Sequence, residues 1–359
     1  MRYKLLGRTG LRVSELCLGT MTFGEDWGWG APKEECARIL DAYAAAGGNF
    51  VDTANRYTDG TSEAFLGELL APDRDRWVLA TKYSLNMRSD DPNAGGGHRK
   101  NLVQSLEASL RRLRTDYVDL LWLHIWDVFT PIEELMRALD DVVRSGKVLY
   151  VGISDTPAWL VARANELAEL RGWTPFAGLQ IPYNLVQRTP ERDLLPMARA
   201  LGLTVTTFEP LAGGLLTGRF GTDREPPAGT RVATTAYAAR AADERNLAIA
   251  DTLNAVAAER GASPAQVAIA WVRAQQERAV IVPIVGARRA EQIENSLGAL
   301  GVELQPAELA RLDEVSGIDH GFPNEFPGRT MAYGDTLARI DAHGVHAWTE
   351  GLADLAPPS

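Results

Sequence analysis

Cysteine is nearly absent: Cys17 and Cys36 are the only two in 359 residues. Two thiols make no disulfide framework, so both are expected as small buried hydrophobes in a protein of the reducing cytoplasm. Histidine is scarce as well. None of the five is spaced with Cys or carboxylates as a ligand set, so no metal is assigned. Long apolar runs are missing. No stretch reaches the roughly 18 consecutive apolar residues of a spanning helix. The opening "MRYKLLGRTGLRVSEL" has no apolar core of leader type. An excess of basic residues is also missing: 37 Lys and Arg face 47 Asp and Glu, for a net charge of −10. That argues against nucleic acid or an anionic membrane as partner, while leaving room for a local basic pocket for a phosphate. The Gly-x-Gly-x-x-Gly of dinucleotide folds is not there either. The first strand of the alternating region runs into "GTMTFGEDWGWGAPKEE". Any nucleotide is therefore held by another device.

What is present is the composition of a soluble globular protein, 45% apolar and 23% charged. The length suits one α/β barrel domain over residues 1–359. "YKLLGRTGLRVSEL" reads as a β-hairpin around "GRTG". Eight short apolar strands follow: "LCLGTM", "NFVDT", "WVLATK", "YVDLLWLH", "VLYVGIS", "FAGLQI", "LTVTTF" and "AVIVPIV". Helical stretches alternate with them. One aligns Leu102, Leu106, Leu110 and Leu113. Another aligns Ile132, Leu135, Met136, Leu139 and Val143 and ends at Gly146 as a C-cap, and a third opens at Ser263-Pro264. Strands that are apolar throughout belong to a parallel sheet covered by helices. Eight repeats predict a closed (β/α)8 TIM barrel, with a doubly wound open sheet as the competing architecture. The barrel with its N-terminal hairpin is expected to reach about residue 315, followed by a C-terminal extension over about 316–359. Long loops are expected at the C-terminal face, one of them "EPLAGGLLTGRFGTDREPPAGTRVATT". No composition break or short-period repeat marks a second domain.

In such a barrel, chemistry gathers where the strands end at the C-terminal face. Those ends carry Asp52, Lys82, His124, Ser154 with Asp155, Gln180, and Phe208 with Glu209; Tyr57 lies five residues past Asp52. Singly, each has an ordinary explanation: a turn cap, a loop aromatic, a rim lysine, a core histidine. Together, an acid, a phenol, an amine and an imidazole on one rim make a coherent set. Carbonyl reduction needs a hydride to carbon and, to oxygen, a proton from a weak acid that can release it near neutral pH. A free phenol titrates near ~10, and a neighbouring ammonium lowers that value. Lys82 is thus expected to lower Tyr57, Asp52 to hold Lys82, and His124 to hydrogen-bond the carbonyl oxygen.

These residues, with "YKLLGRTGLRVSELCLGTMTFG", "NFVDTANRY", "LATK" and "GHRKNLVQSLEASLRRLRTDYVDLLWLH", resemble the aldo-keto reductase superfamily, in its aryl-alcohol-dehydrogenase-like and potassium-channel-β-like branch. The resemblance runs to about residue 300. It places the catalytic tetrad on Asp52, Tyr57, Lys82 and His124. It implies NADPH lying across the barrel mouth and, with it, reversible reduction of aldehydes or ketones to alcohols. The nicotinamide amide would meet Ser154, Asp155 and Gln180. Asp155 replaces an Asn, and an ionised carboxylate cannot donate to it. Phe208 would stack on the ring, with Thr20, Met21 and Asp52 beside it. The pyrophosphate would follow Glu209, Pro210, Leu211, Gly213, Gly214, Leu215 and Arg219, with the glycines admitting close backbone approach. Gly286, Arg288, Gln292, Asn295 and Ser296 would hold the adenosine end, Arg288 meeting the ribose 2′-phosphate.

The resemblance draws the substrate pocket from loops at the mouth: Trp27, Trp29, Tyr57, Met87, His124 and Trp126. His98, His320, His343 and His346 are read as ordinary structural or surface residues. The resemblance implies a small-molecule carbonyl as partner and suggests an aromatic or hydrophobic one; oligomeric state stays open. Two other functions compete. One is a cofactor-binding regulatory protein like the channel β-subunits, with slow turnover. The other is a Schiff-base enzyme acting through Lys82.

Overall fold

In a computed structural model of the chain, residues 1–222 and 243–325 are described. The hairpin pairs β1 (Tyr3–Leu5) with β2 (Arg12–Ser14), antiparallel, in the register Tyr3↔Ser14 to Leu5↔Arg12. Gly7 turns between them at φ 57, and a Cβ there would come within 2.3 Å of the Ala177 carbonyl oxygen. Only glycine fits that turn and that approach. The Gly7 N–H donates to Thr204 Oγ1 at 2.7 Å and Lys4 Nζ to the Ile281 carbonyl at 2.7 Å. The hairpin therefore closes the end of the barrel where the strands begin.

Eight parallel strands then close on themselves. They are β3 (Cys17–Gly19), β4 (Phe50–Asp52), β5 (Val78–Tyr83), β6 (Val118–Leu123), β7 (Val148–Ser154), β8 (Phe176–Pro182), β9 (Thr204–Phe208) and β10 (Val280–Gly286). Each pairs with the next in sequence, and β10 returns to β3 through Ile284↔Cys17, Val285↔Leu18 and Gly286↔Gly19. This is a (β/α)8 barrel, not an open doubly wound sheet. Helices between the strands cover its outer face.

The period-2 alternation of each strand sorts its residues. Cys17, Phe50, Val78, Ala80, Leu120, Trp122, Val282 and Ile284 point inward and pack with Leu6 and Val13 of the hairpin. Their neighbours Leu18, Val51, Leu79, Leu121, Val151, Leu179 and Val205 point outward into the layer under the helices. Trp122 fills the interior. Room for its ring comes from Gly152 and Gly178, where a Cβ would lie 2.3 Å and 2.9 Å from indole carbons.

The helix Arg99–Leu113 buries Leu102, Leu106, Leu110 and Leu113. The helix Ile132–Arg144 buries Ile132, Leu135, Met136 and Leu139, with Val143 half-buried. Its C-cap is Ser145, and Gly146 stands one residue beyond at φ 77. The left-handed glycine thus sits just outside the helix, where it bonds back to the Val143 carbonyl at 2.9 Å.

Cys17 and Cys36 are both free and buried. Among the described residues no helix is long and apolar enough to cross a membrane, and no three or more His, Cys, Asp or Glu form a metal-binding group. Residues 223–242 of the segment after β9, most of the C-terminal extension, His343 and His346 lie outside the described residues.

Candidate active site

Alternation continues one step past the apolar interior. Asp52 follows Phe50, Lys82 follows Ala80, Ser154 follows Gly152 and Gln180 follows Gly178, each on the inward face at a strand end. His124 follows Trp122 and donates its backbone N–H to the Tyr83 carbonyl at 2.9 Å. Tyr57 opens the short 3₁₀ turn Tyr57–Gly60 after β4.

The Lys82 ammonium is fully buried and has three acceptors. They are Asp52 Oδ2, the Thr53 carbonyl at 2.8 Å and the Tyr57 hydroxyl oxygen at 3.0 Å. The other Asp52 oxygen accepts from Gln180 Nε2 at 3.1 Å. The Tyr57 ring stands edge-on to His124, with centroids 5.9 Å apart and planes at 84°. Two inward strands, β4 and β5, and the loops after β4 and β6 thus bring the acid, phenol, amine and imidazole to one point.

Burial opposes the charge on Lys82, but Asp52 and Tyr57 outweigh it and hold its pKa above the ordinary value. Tyr57 differs from the sequence expectation. Burial pushes its phenol up; Lys82 pulls it back without cancelling, while Asp52 and Asp155 add to the rise. Desolvation of a phenolate costs more here than one paired ammonium returns. Burial, helped by Lys82, drops His124 to about 3, so it is a neutral imidazole at neutral pH. Its Nδ1 is buried and has no hydrogen-bond partner among the described residues. Asp155 is exposed to the cleft, at φ 42. Desolvation of its carboxyl pushes it up to about 6, with Lys82 opposing and Glu209 reinforcing.

Above these groups lies a cleft of about 520 Å³. Of the residues expected to hold cofactor or substrate, Thr20, Met21, Trp27, Asp52, Tyr57, His124, Ser154, Asp155, Gln180, Phe208, Glu209, Pro210, Leu211, Gly213, Gly286 and Ser296 line it. Lys82 lies beneath its floor. Gly214 lines it as well, and the remaining expected residues do not. Leu215 is buried in the outer core and Arg219 is exposed. Arg288 is exposed, and its backbone N–H donates to Gln292 Oε1 at 2.9 Å. Asn295 Oδ1 accepts from Ser263 Oγ at 3.0 Å, so this amide braces a helix cap. Trp29 packs on Trp27 at 5.6 Å and Trp126 on Trp159 at 6.4 Å. Met87 donates its N–H to the Ala94 carbonyl at 3.0 Å in a loop outside the cleft.

The structure adds Gly19, Thr22, Arg56, Leu85, Ile284 and Val285 to the lining. Arg56 was visible in sequence beside Tyr57, but no spacing rule gives a loop side chain's direction.

The cleft runs from the tetrad to the β3–β10 seam, and bare backbone forms part of its wall, so an extended ligand can approach closely there. Phe208, at the end of β9, brings an aromatic side chain to the lining. Gly213 and Gly214, at φ 70 and 113, present bare loop backbone. At the β3–β10 seam a Cβ on Gly19 would strike Ile284 Cγ2 at 2.6 Å, so backbone forms the wall there too.

A family model described as "Aldo/keto reductase family" matches residues 15–316. An aldo-keto reductase of Emericella nidulans is 38% identical over 91% of this chain and 84% of its own length. A norsolorinic acid reductase of Aspergillus flavus is 37% identical over 90% of the chain and 82% of its own. A putative aryl-alcohol dehydrogenase of Saccharomyces cerevisiae is 35% identical over 94% and 93%.

Proposed function

The chain belongs to the aldo/keto reductase family, and from that premise we propose that it is an NADPH-dependent reductase of aldehydes or ketones, reversible with the alcohols. The observation that carries this reading is the Tyr57 hydroxyl on the cleft wall, 3.0 Å from a buried ammonium and edge-on to a neutral imidazole.

NADPH, when bound, supplies the hydride. Ser154, Asp155, Gln180 and Phe208 would hold its nicotinamide, the Glu209–Gly214 loop its pyrophosphate, and Gly286, Arg288, Gln292 and Ser296 its adenosine end. Tyr57 gives its proton to the carbonyl oxygen as charge builds there. The raised phenol keeps that proton until a carbonyl needs it. Lys82, fixed by Asp52, then stabilises the phenolate. His124, being neutral, can donate to the carbonyl oxygen from one ring nitrogen and orient it. Trp27 and Leu85 favour a flat, apolar substrate. Relatives named for norsolorinic acid and aryl alcohols support an aromatic carbonyl as the class. The two buried free thiols suit a cytoplasmic location.

Tyr57→Phe tests the assignment. Reduction of benzaldehydes, followed by NADPH absorbance, should fall by about 100-fold or more, while NADPH still quenches tryptophan fluorescence. Retained turnover removes Tyr57 as proton donor. A wild-type chain that binds NADPH but turns over no carbonyl would point instead to a regulatory protein.

A further inference from the structure

Arg56 is the one cation among the cleft's described lining residues. The other charges there are Asp52, which is committed to Lys82 and Gln180, and Asp155 and Glu209, at the ends of β7 and β9. An anionic group entering the cleft therefore has one favourable neighbour.

That neighbour is held in place. Asp59 accepts from the Arg56 guanidinium through Oδ1 and from the Trp27 indole N–H through Oδ2 at 3.2 Å. One carboxylate thus aligns a cation and an aromatic face at the cleft rim, directly beside Tyr57. The turn that presents Asp59 is unusual. Thr58 and Asp59 both lie in the left-handed region, at φ 45 and 54, where non-glycine residues are rare. Thr58 is secured there: its hydroxyl donates to the Phe23 carbonyl at 2.6 Å and accepts from the Ser62 N–H at 3.0 Å. Arg56 keeps further donors beyond the one given to Asp59, since a guanidinium carries five. Its fork suits a carboxylate better than a point charge would.

We infer that Arg56 is a specificity-determining residue, and that the preferred substrates are aromatic carbonyls bearing an anionic substituent, a carboxylate or an acidic phenol. The ring lies against Trp27 and the anion meets Arg56. This rests on the reductase reading above.

The test compares 3- and 4-formylbenzoate with their methyl esters as substrates at saturating NADPH. For at least one isomer the wild-type kcat/KM should favour the carboxylate. Added NaCl should erode that preference, because the Arg56 side chain is partly exposed. Arg56→Met should cut the carboxylate's kcat/KM by about ten-fold, with a smaller change for the ester, so that the preference collapses. Arg56→Lys, which keeps the charge but not the fork, should retain part of it. Turnover of the ester by each variant shows that the barrel is folded. If the wild type reduces the esters but shows no carboxylate preference for either isomer, the inference fails while the reductase reading stands. Equal losses on carboxylate and ester in Arg56→Met overturn it as well. If no aldehyde is reduced, the reductase reading fails. Quenching of tryptophan fluorescence by 4-(hydroxymethyl)benzoate then decides Arg56 alone: equal affinity in wild type and Arg56→Met overturns its role.

Discussion

His124 shows what burial does to one imidazole. Its pKa of about 3 lies below the ordinary 6.5, so on acidification the unfolded chain takes up the proton first. The stability linked to His124 is therefore complete above about 6.5 and is lost as pH falls from there towards 3. Asp155, raised to about 6, acts in the opposite sense: its contribution is present below its unfolded value and is lost as pH rises through 6. His124→Asn leaves Asp155 in place. The melting temperature should therefore fall less between pH 7 and pH 4.5 in His124→Asn than in the wild type. Thermal unfolding followed by circular dichroism at the two pH values checks this, and parallel slopes would refute it. At this scale, residue type and strand-end position in the sequence pointed to Asp52, Lys82 and His124. Two things were not legible. Arg56's place on the cleft depends on a loop direction. The rise of Tyr57 depends on how deeply the ring is buried, which no neighbour in sequence reports.

The helix Pro264–Ala274 begins as its sequence says it should. Ser263 accepts from the Gln266 N–H, and the Gln266 side chain accepts from the Ser263 N–H, completing a capping box with Pro264 in the first turn. The same Ser263 hydroxyl donates to Asn295 on the next helix, which carries Ser296 into the cleft. Ser263→Ala should cost about 1–2 kcal/mol, the cap together with the interhelical bond. Urea unfolding measures it, and a loss under about 0.5 kcal/mol, less than one hydrogen bond contributes, would show the box to be dispensable. Other caps were hidden. His98 caps the helix Arg99–Leu113, its Nδ1 accepting from the Asn101 N–H at 3.3 Å. Histidine is outside the usual N-cap set, so its composition gave no cue. Nor could the sequence distinguish Asn295 as a brace from Asn295 as a ligand contact, because both uses keep the same residue on the same face.

Across the whole molecule, barrel closure brings β10 against β3 and places Gly286 and Ser296 in the same cleft as Asp52 and His124. Arg288 stands just outside, exposed, two residues past Gly286. If it meets the 2′-phosphate, Arg288→Ala should raise the Kd for NADPH by about ten-fold and change that for NADH much less. Fluorescence titration with both cofactors decides this, and equal weakening would remove Arg288 from that role. The sequence by itself determined the repeat of strand and helix, because an apolar period of two or of about 3.6 is a local property of the chain. It also determined which polar residues end the strands. Only the tertiary structure decided that those ends converge, that Gly152 and Gly178 make room for Trp122 beneath them, and that one carboxylate ties Arg56 to Trp27 at the rim. Each of these follows from contacts between segments far apart along the chain, or from side-chain directions in a loop, and neither leaves a periodic trace in the sequence.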